Sequence, residues 1–260
     1  MNNKMRKIRI AGTLLSAFFI HTAYAAGQGN FSLTSGLDYS SGKYGGTQST
    51  EILYVPLTGK YEVDRWTFKL TVPYIRITGP GGVTRDIGGF KTAGTTRTTA
   101  SGLGDVVAAA TYNAYDSGGA NAWLVDLTGK VKFGTADETK SLGTGKNDYA
   151  AQADIYKIFD QFTAFGTLGY RLLGSPAGTH LDNVLYGSLG GSYKLSQQTS
   201  AGLILDLRQK AFASGAPQRE LTAFVTHKLN QTWKAQSYVV KGFADGSPDW
   251  GAGAMITRAF

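Results

Sequence analysis

Residues 66–72 (WTFKLTV) alternate large apolar side chains with Thr and Lys. Residues 123–133 (WLVDLTGKVKF) do the same, with Asp126, Lys130 and Lys132 on the polar side. A period of two belongs to a strand with one apolar and one polar face. Such stretches recur along the chain, turn residues separate them, and helical periodicity is scarce. The pattern predicts twelve strands, near 31–44, 49–63, 66–78, 102–115, 122–134, 148–159, 162–174, 183–195, 200–210, 218–229, 232–243 and 249–260.

The connections add a second regularity. Asp64-Arg65, Asp160-Gln161, Ser196–Thr199 and Asn230-Gln231 are tight, and 116–121 (DSGGAN) is slightly longer. The alternate connections, 79–101, 135–147, 175–182 and 211–217, are longer and rich in Gly, Thr and Ser. In an up-and-down meander all short turns fall at one end and all long loops at the other. Transmembrane β-barrels show that asymmetry, with even strand numbers and strands that face lipid on one side and the lumen on the other. After residue 25 no apolar run approaches 18 residues, so transmembrane helices are excluded. The expected fold is an all-β, up-and-down antiparallel transmembrane β-barrel of about 12 strands, which places the chain in the bacterial cell outer membrane.

Residues 1–25 read as a secretory signal peptide. Lys4, Arg6, Lys7 and Arg9 form a basic start, 10–20 (IAGTLLSAFFI) an apolar stretch too short to span a bilayer, and Ala23-Tyr24-Ala25 a small-x-small cleavage site. Residues 26–260 then form the barrel domain. The whole chain of 260 residues has 26 Lys and Arg against 18 Asp and Glu, a net charge of +8. Without the four leader cations the balance is ordinary, and nucleic acid is not indicated as a partner. Zero cysteine removes disulfide scaffolds, thiolate metal sites and cysteine nucleophiles. Three His argue against a multi-histidine metal cage.

Alternation assigns the faces. Leu37, Tyr39, Leu53, Val55, Leu57, Tyr61, Trp66, Phe68, Leu70, Val72 and Tyr74 face lipid. So do Trp123, Val125, Leu127, Leu168, Tyr170, Leu203, Leu205, Leu207, Val225, Trp233, Val239, Trp250 and Ile256. Tyr and Trp gather near strand ends, as in interfacial girdles. The expected lumen-lining residues are Lys69, Arg76, Asp105, Asp126, Lys130, Lys132, Asp154, Arg171, Asp206, Arg208, Lys210 and Glu220, with Asp38, Lys60, Glu62 and Lys234 on the same face. They line a solute path, pair as a salt-bridge network in a narrow barrel, or do both. Twelve strands about 4.8 Å apart and tilted about 40° give a backbone radius of roughly 12 Å, room for a small molecule once side chains are counted. Outer-membrane lipid and lipopolysaccharide surround such a barrel. Phe260, on the face of Trp250 and Ile256, resembles the signal read by the barrel assembly machinery, and Arg258 beside it can snorkel.

Catalysis has little support. The His-x-Ser pair of outer-membrane lipid hydrolases is absent: Leu181-Asp182 follow His180, and Lys228-Leu229 follow His227. Gly143-Thr144-Gly145-Lys146-Asn147 lacks both the upstream Gly and the Ser/Thr of a phosphate loop. Neither catalytic nor metal-binding residues are assigned, and no cofactor is expected.

Gly102-Leu103-Gly104-Asp105, the stretch 126–135 (DLTGKVKFGT), the stretch 142–149 (LGTGKNDY), Gln152 and Asp154 together resemble the family named for the MetA pathway of phenol degradation. The resemblance spans most of residues 26–260, is strongest over 101–174, and departs at Gly134, where the family pattern has Pro. It implies an outer-membrane barrel of transporter type that takes up aromatic or other hydrophobic compounds, and carries over no catalytic residue. The competing expectations are a small-molecule channel, a plugged structural or adhesion barrel, and a lipid-modifying enzyme.

Overall fold

The computed structural model describes residues 29–84, 88–89 and 96–260. The leader expected at residues 1–25 lies outside the described residues. The strands in chain order are β1 (Asn30–Gly42), β2 (Thr50–Val63), β3 (Trp66–Gly79), β4 (Val83–Thr84), β5 (Gly88–Gly89), β6 (Thr98–Leu103), β7 (Val106–Asp116) and β8 (Trp123–Phe133). They continue with β9 (Asp148–Phe159), β10 (Phe162–Leu172), β11 (Val184–Lys194), β12 (Thr199–Arg208), β13 (Gln218–Lys228), β14 (Trp233–Gly242) and β15 (Trp250–Ala259). β4 and β5 form a minute hairpin inside one long loop.

Every other strand pairs antiparallel with its neighbours, β1 joins β15, and the β2–β3 pairing completes the ring. β6 and β7 share the flank of β3 as one interrupted strand: Tyr74–Gly79 pair with β6 and Trp66–Thr71 with β7. Counting them as one, the sheet is a closed barrel of twelve strands. Each strand end lies within four residues of the position the alternation predicts.

The break has a chemical cause. Pro73 and Pro56 are partners across β2 and β3, and proline has no N–H to give a ladder. On the far side of Pro73 the ladder jumps from Thr71↔Val107 to Tyr74↔Leu103, bridged by the Gly104 amide donating to the Pro73 carbonyl at 2.8 Å. On the far side of Pro56 the β1–β2 register passes from Ser35↔Leu57 to Asp38↔Tyr54. The turns are simpler. Asp64 and Asp160 open the two tightest with φ of 51° and 52°, a left-handed conformation that Asp tolerates.

Long side chains cover the outside. Leu37, Leu57, Leu70, Leu127, Leu168 and Leu203 are exposed around the ring. Phe31, Tyr61, Trp66, Phe68, Trp123, Phe159, Phe162 and Tyr193 are exposed at the short-turn end, and Tyr74, Tyr149, Tyr170 and Trp250 toward the long-loop end. Cations lie over rings in the first belt: Arg65 over Tyr112, Lys157 over Trp123, and Arg258 over Trp233. A closed sheet with an apolar band between two aromatic girdles is a membrane-spanning barrel of outer-membrane type.

Leu127 faces out and Asp126 in, so the two test the assignment of faces. Leu127→Arg is expected to cost roughly 2–4 kcal/mol of folding stability in bilayers, because it puts a cation against hydrocarbon. Asp126→Asn should cost less, since it keeps the lumen wall polar. Urea-unfolding midpoints in lipid vesicles measure both.

Candidate functional site

The barrel interior is the candidate site. Lys69, Asp105, Asp126, Lys130, Lys132, Asp154, Arg171, Asp206, Arg208 and Glu220 all sit at inward positions, half-buried or buried, with Asp38, Lys60, Glu62 and Lys234. Two expected residues do not. Arg76 shares the parity of Trp66, Phe68, Leu70, Val72 and Tyr74 and is exposed on the outer face near the long-loop end. Its charge, not its register, had suggested the lumen. Lys210 lies beyond the end of β12 in the 209–217 loop, exposed, with its ammonium on the Ala213 carbonyl at 2.8 Å.

Near the long-loop end, buried charges tie loops to wall. Lys132 Nζ reaches Asp105 Oδ2 at 2.8 Å, Asp148 Oδ2 at 3.2 Å and Thr144 Oγ1 at 3.3 Å. Arg171 Nη2 donates to the same Asp148 oxygen at 2.6 Å, and the Gly174 amide donates to Asp148 Oδ1 at 2.9 Å. The Ala136 amide donates to Asp105 Oδ1 at 2.9 Å. Arg171 therefore pairs with Asp148. These contacts fold the 134–147 loop inward, where Leu142 and Ala136 pack with Val83 on Ile52, Ile75 and Ile77. At the outer part of that loop Asp137 accepts from the Thr139 hydroxyl and from the Thr139 and Lys140 amides, which holds its carboxyl below the usual range.

Deeper in, polar side chains satisfy one another across strands. Thr34 bonds Thr257 and Thr111 bonds Thr128, at 2.8 and 2.9 Å, and Asn113 donates to Asp126 at 2.8 Å. Asp154 is fully buried, accepting from both Gln152 Nε2 and the Thr167 hydroxyl. Gln152 Oε1 in turn accepts from Lys130 and from the Tyr186 hydroxyl.

The sequence reading missed an apolar arc on this inner wall. Leu124, Tyr156, Ile158 and Phe165 form one buried cluster, Phe224, Tyr238 and Val240 another, and Ile204 packs against both. Four inner rings lie over a glycine of a neighbouring strand. A methyl at Gly169 would lie 2.3 Å from Tyr186 Cζ, at Gly190 2.3 Å from Phe165 Cζ, at Gly202 2.6 Å from Phe224 Cζ, and at Gly253 2.3 Å from Tyr238 Cζ. The Tyr238 hydroxyl donates to Asp38, which joins the arc to the polar side.

Above the arc is a cavity of about 180 Å³ between β8, β10, β11, β12 and β13. Lys130, Arg171, Tyr186, Asp206, Arg208 and Glu220 line it. The two described histidines are elsewhere: His180 is exposed in a loop with Asp182 at 3.5 Å, and His227 Nδ1 is bonded to Thr199 Oγ1 at 2.9 Å. Phe260 is exposed, its amide donating to the Phe31 carbonyl at 3.0 Å and its ring 5.7 Å from that of Phe31.

By sequence, the chain matches no known family and no curated protein. By fold it is similar to the COG4313 outer membrane channel from Pseudomonas putida F1, at 14% identity over 92% of this chain and 97% of that one, with a TM-score of 0.66. It is also similar to the KdgM porin in complex with disordered oligogalacturonate, at 10% identity over 88% of this chain and 99% of that one, with a TM-score of 0.49. A third is the CymD monoaromatic hydrocarbon channel, at 10% identity over 89% of this chain and 88% of that one, with a TM-score of 0.47. At these identities the likeness is one of fold. The closed barrel and its apolar girdle locate the chain in the outer membrane.

The glycine–ring contacts predict non-additivity. Gly253→Ala alone should destabilise the barrel by about 1–3 kcal/mol, because the added methyl must displace the buried Tyr238 ring from its bond to Asp38. In a Tyr238→Ala background the same change should cost far less. A double-mutant cycle on urea midpoints reads the coupling.

Proposed function

We propose that the barrel passes or binds a small solute along a narrow, charged interior. One observation carries the reading: a cavity inside the ring is lined by charged side chains of both signs, while exposed leucines and aromatic belts cover the outside. The description of the P. putida barrel of the same fold as an outer membrane channel supports it. The resemblance to the phenol-degradation family extends the reading to aromatic or hydrophobic solutes. On this reading the inward charges named above are the lumen lining, and Phe260 is a contact for the assembly machinery.

A plugged structural barrel is the second reading, favoured by Leu142 and Val83 packing over the inner wall at the mouth. Swelling of proteoliposomes in iso-osmotic arabinose decides between them. Swelling with arabinose but not with raffinose supports narrow passage, and no swelling with either supports the plug. Lys132→Met removes the cation that holds Asp105, Asp148 and Thr144 together. Breaking a buried pair of this kind costs about 3–5 kcal/mol. The 134–147 loop should loosen and arabinose entry should rise several-fold.

A further inference from the structure

The two sides of the 180 Å³ cavity carry opposite charge. On β12 and β13, Asp206 and Glu220 are register partners. Like charges directly opposite on adjacent strands repel. Arg208 supplies one positive charge on the same side, so two carboxylates face one guanidinium and the side is negative. On β8 and β10, Lys132 and Arg171 are engaged by Asp105 and Asp148, two cations with two carboxylates. Lys130 lines the cavity beside them. Its ammonium donates to the neutral Gln152 amide and lies 5.8 Å from the centre of the Tyr186 ring. Of the charged groups that line the cavity on this side, Lys130, Lys132 and Arg171 are cations and Asp148 is a carboxylate, whereas Asp154, bonded to Gln152 and Thr167, does not line it. This side is positive. Tyr186 on β11 stands between the two.

We propose that the cavity is a binding site for a small zwitterion, its carboxylate directed to Lys130 and its ammonium to Asp206 and Glu220. The proposal rests on the solute-binding reading above and names the class of solute. A simple anion attracted by Lys130 is repelled by the opposite side, a simple cation meets the reverse, and a neutral molecule gains from neither. A molecule carrying both charges gains twice, in a setting where charge interactions exceed those in water. Selectivity comes from the repulsions as much as from the attractions.

The test is calorimetric titration of the detergent-purified full chain with four probes of one size: 4-aminobutyrate, butyrate, butylammonium and butyramide. 4-Aminobutyrate is expected to bind about tenfold or more tighter than the other three, roughly 1.4 kcal/mol per tenfold. Asp206→Asn, Asp206→Asn with Glu220→Gln, and Lys130→Met should each weaken 4-aminobutyrate binding by about tenfold while leaving butyramide unchanged. Heat-modifiable migration confirms that each variant is folded, and the single Asp206→Asn change serves if the pair impairs assembly. Equal affinity for all four, a preference for butyrate or butylammonium, or no binding of 4-aminobutyrate overturns the site. Arabinose swelling separates the two readings: binding without swelling keeps the site and removes passage, and swelling without binding does the opposite.

Discussion

In the hydrocarbon of a membrane, a backbone N–H or C=O without a partner costs several kcal/mol. The chain meets that demand by closing a single sheet, and most of the structure follows from the closure. The β1–β15 and β2–β3 pairings leave the barrel no edge. Sequence chemistry works against the ladder at the facing pair Pro56 and Pro73. There the chain answers locally, by splitting the neighbouring strand at Gly104-Asp105 and sending the Gly104 amide back to the Pro73 carbonyl. The split turns Asp105 inward, where it meets Lys132. A backbone defect thus supplies half of a buried ion pair.

Closure also fixes what the interior must hold. With alternate residues committed to lipid, the rest are gathered inside the ring, where they bond to one another. The Thr–Thr rungs, the Asn113–Asp126 bond and the Asp148 hub do this. The glycine–ring contacts are the apolar counterpart. A ring laid over a glycine fills the gap left by the missing side chain and keeps its own bulk against the wall.

Strands and ring order were legible because a period of two is a local signal that recurs in every segment, and because short and long connections alternate. Register was less legible. Arg76 reads as a lumen residue when judged by charge, yet its parity with Tyr74 and Val72 puts it outside. Lys210 reads as strand only if β12 is extended past Arg208. The apolar arc was hidden for a different reason. In β9, the stretch Ile155-Tyr156-Lys157-Ile158-Phe159 is apolar on both faces, so alternation cannot flag Tyr156 and Ile158 as inward. The telling partners, Gly190 for Phe165 and Gly253 for Tyr238, are neighbours only after the strands are registered. The same holds for Asp148, whose bonds to Lys132 and Arg171 join three strands.

Register also explains why the charges of the cavity do not cancel. Nearest neighbours along the wall pair off first, and Lys132, Arg171, Asp105 and Asp148 do so among β8, β9, β10 and the broken strand. Lys130 is two residues along β8 from Lys132, and its β9 partner in register is Ala150. On β9 it finds Gln152, an amide that accepts its hydrogen bond without neutralising its charge. Asp206 meets a like charge in Glu220 for the same reason: the β12–β13 register places acid opposite acid. A shift of either strand by one residue would send these groups into lipid, so the apolar shell locks the charge separation in place. The outward pattern that lets the chain live in a membrane therefore also keeps a positive and a negative side facing each other across the interior.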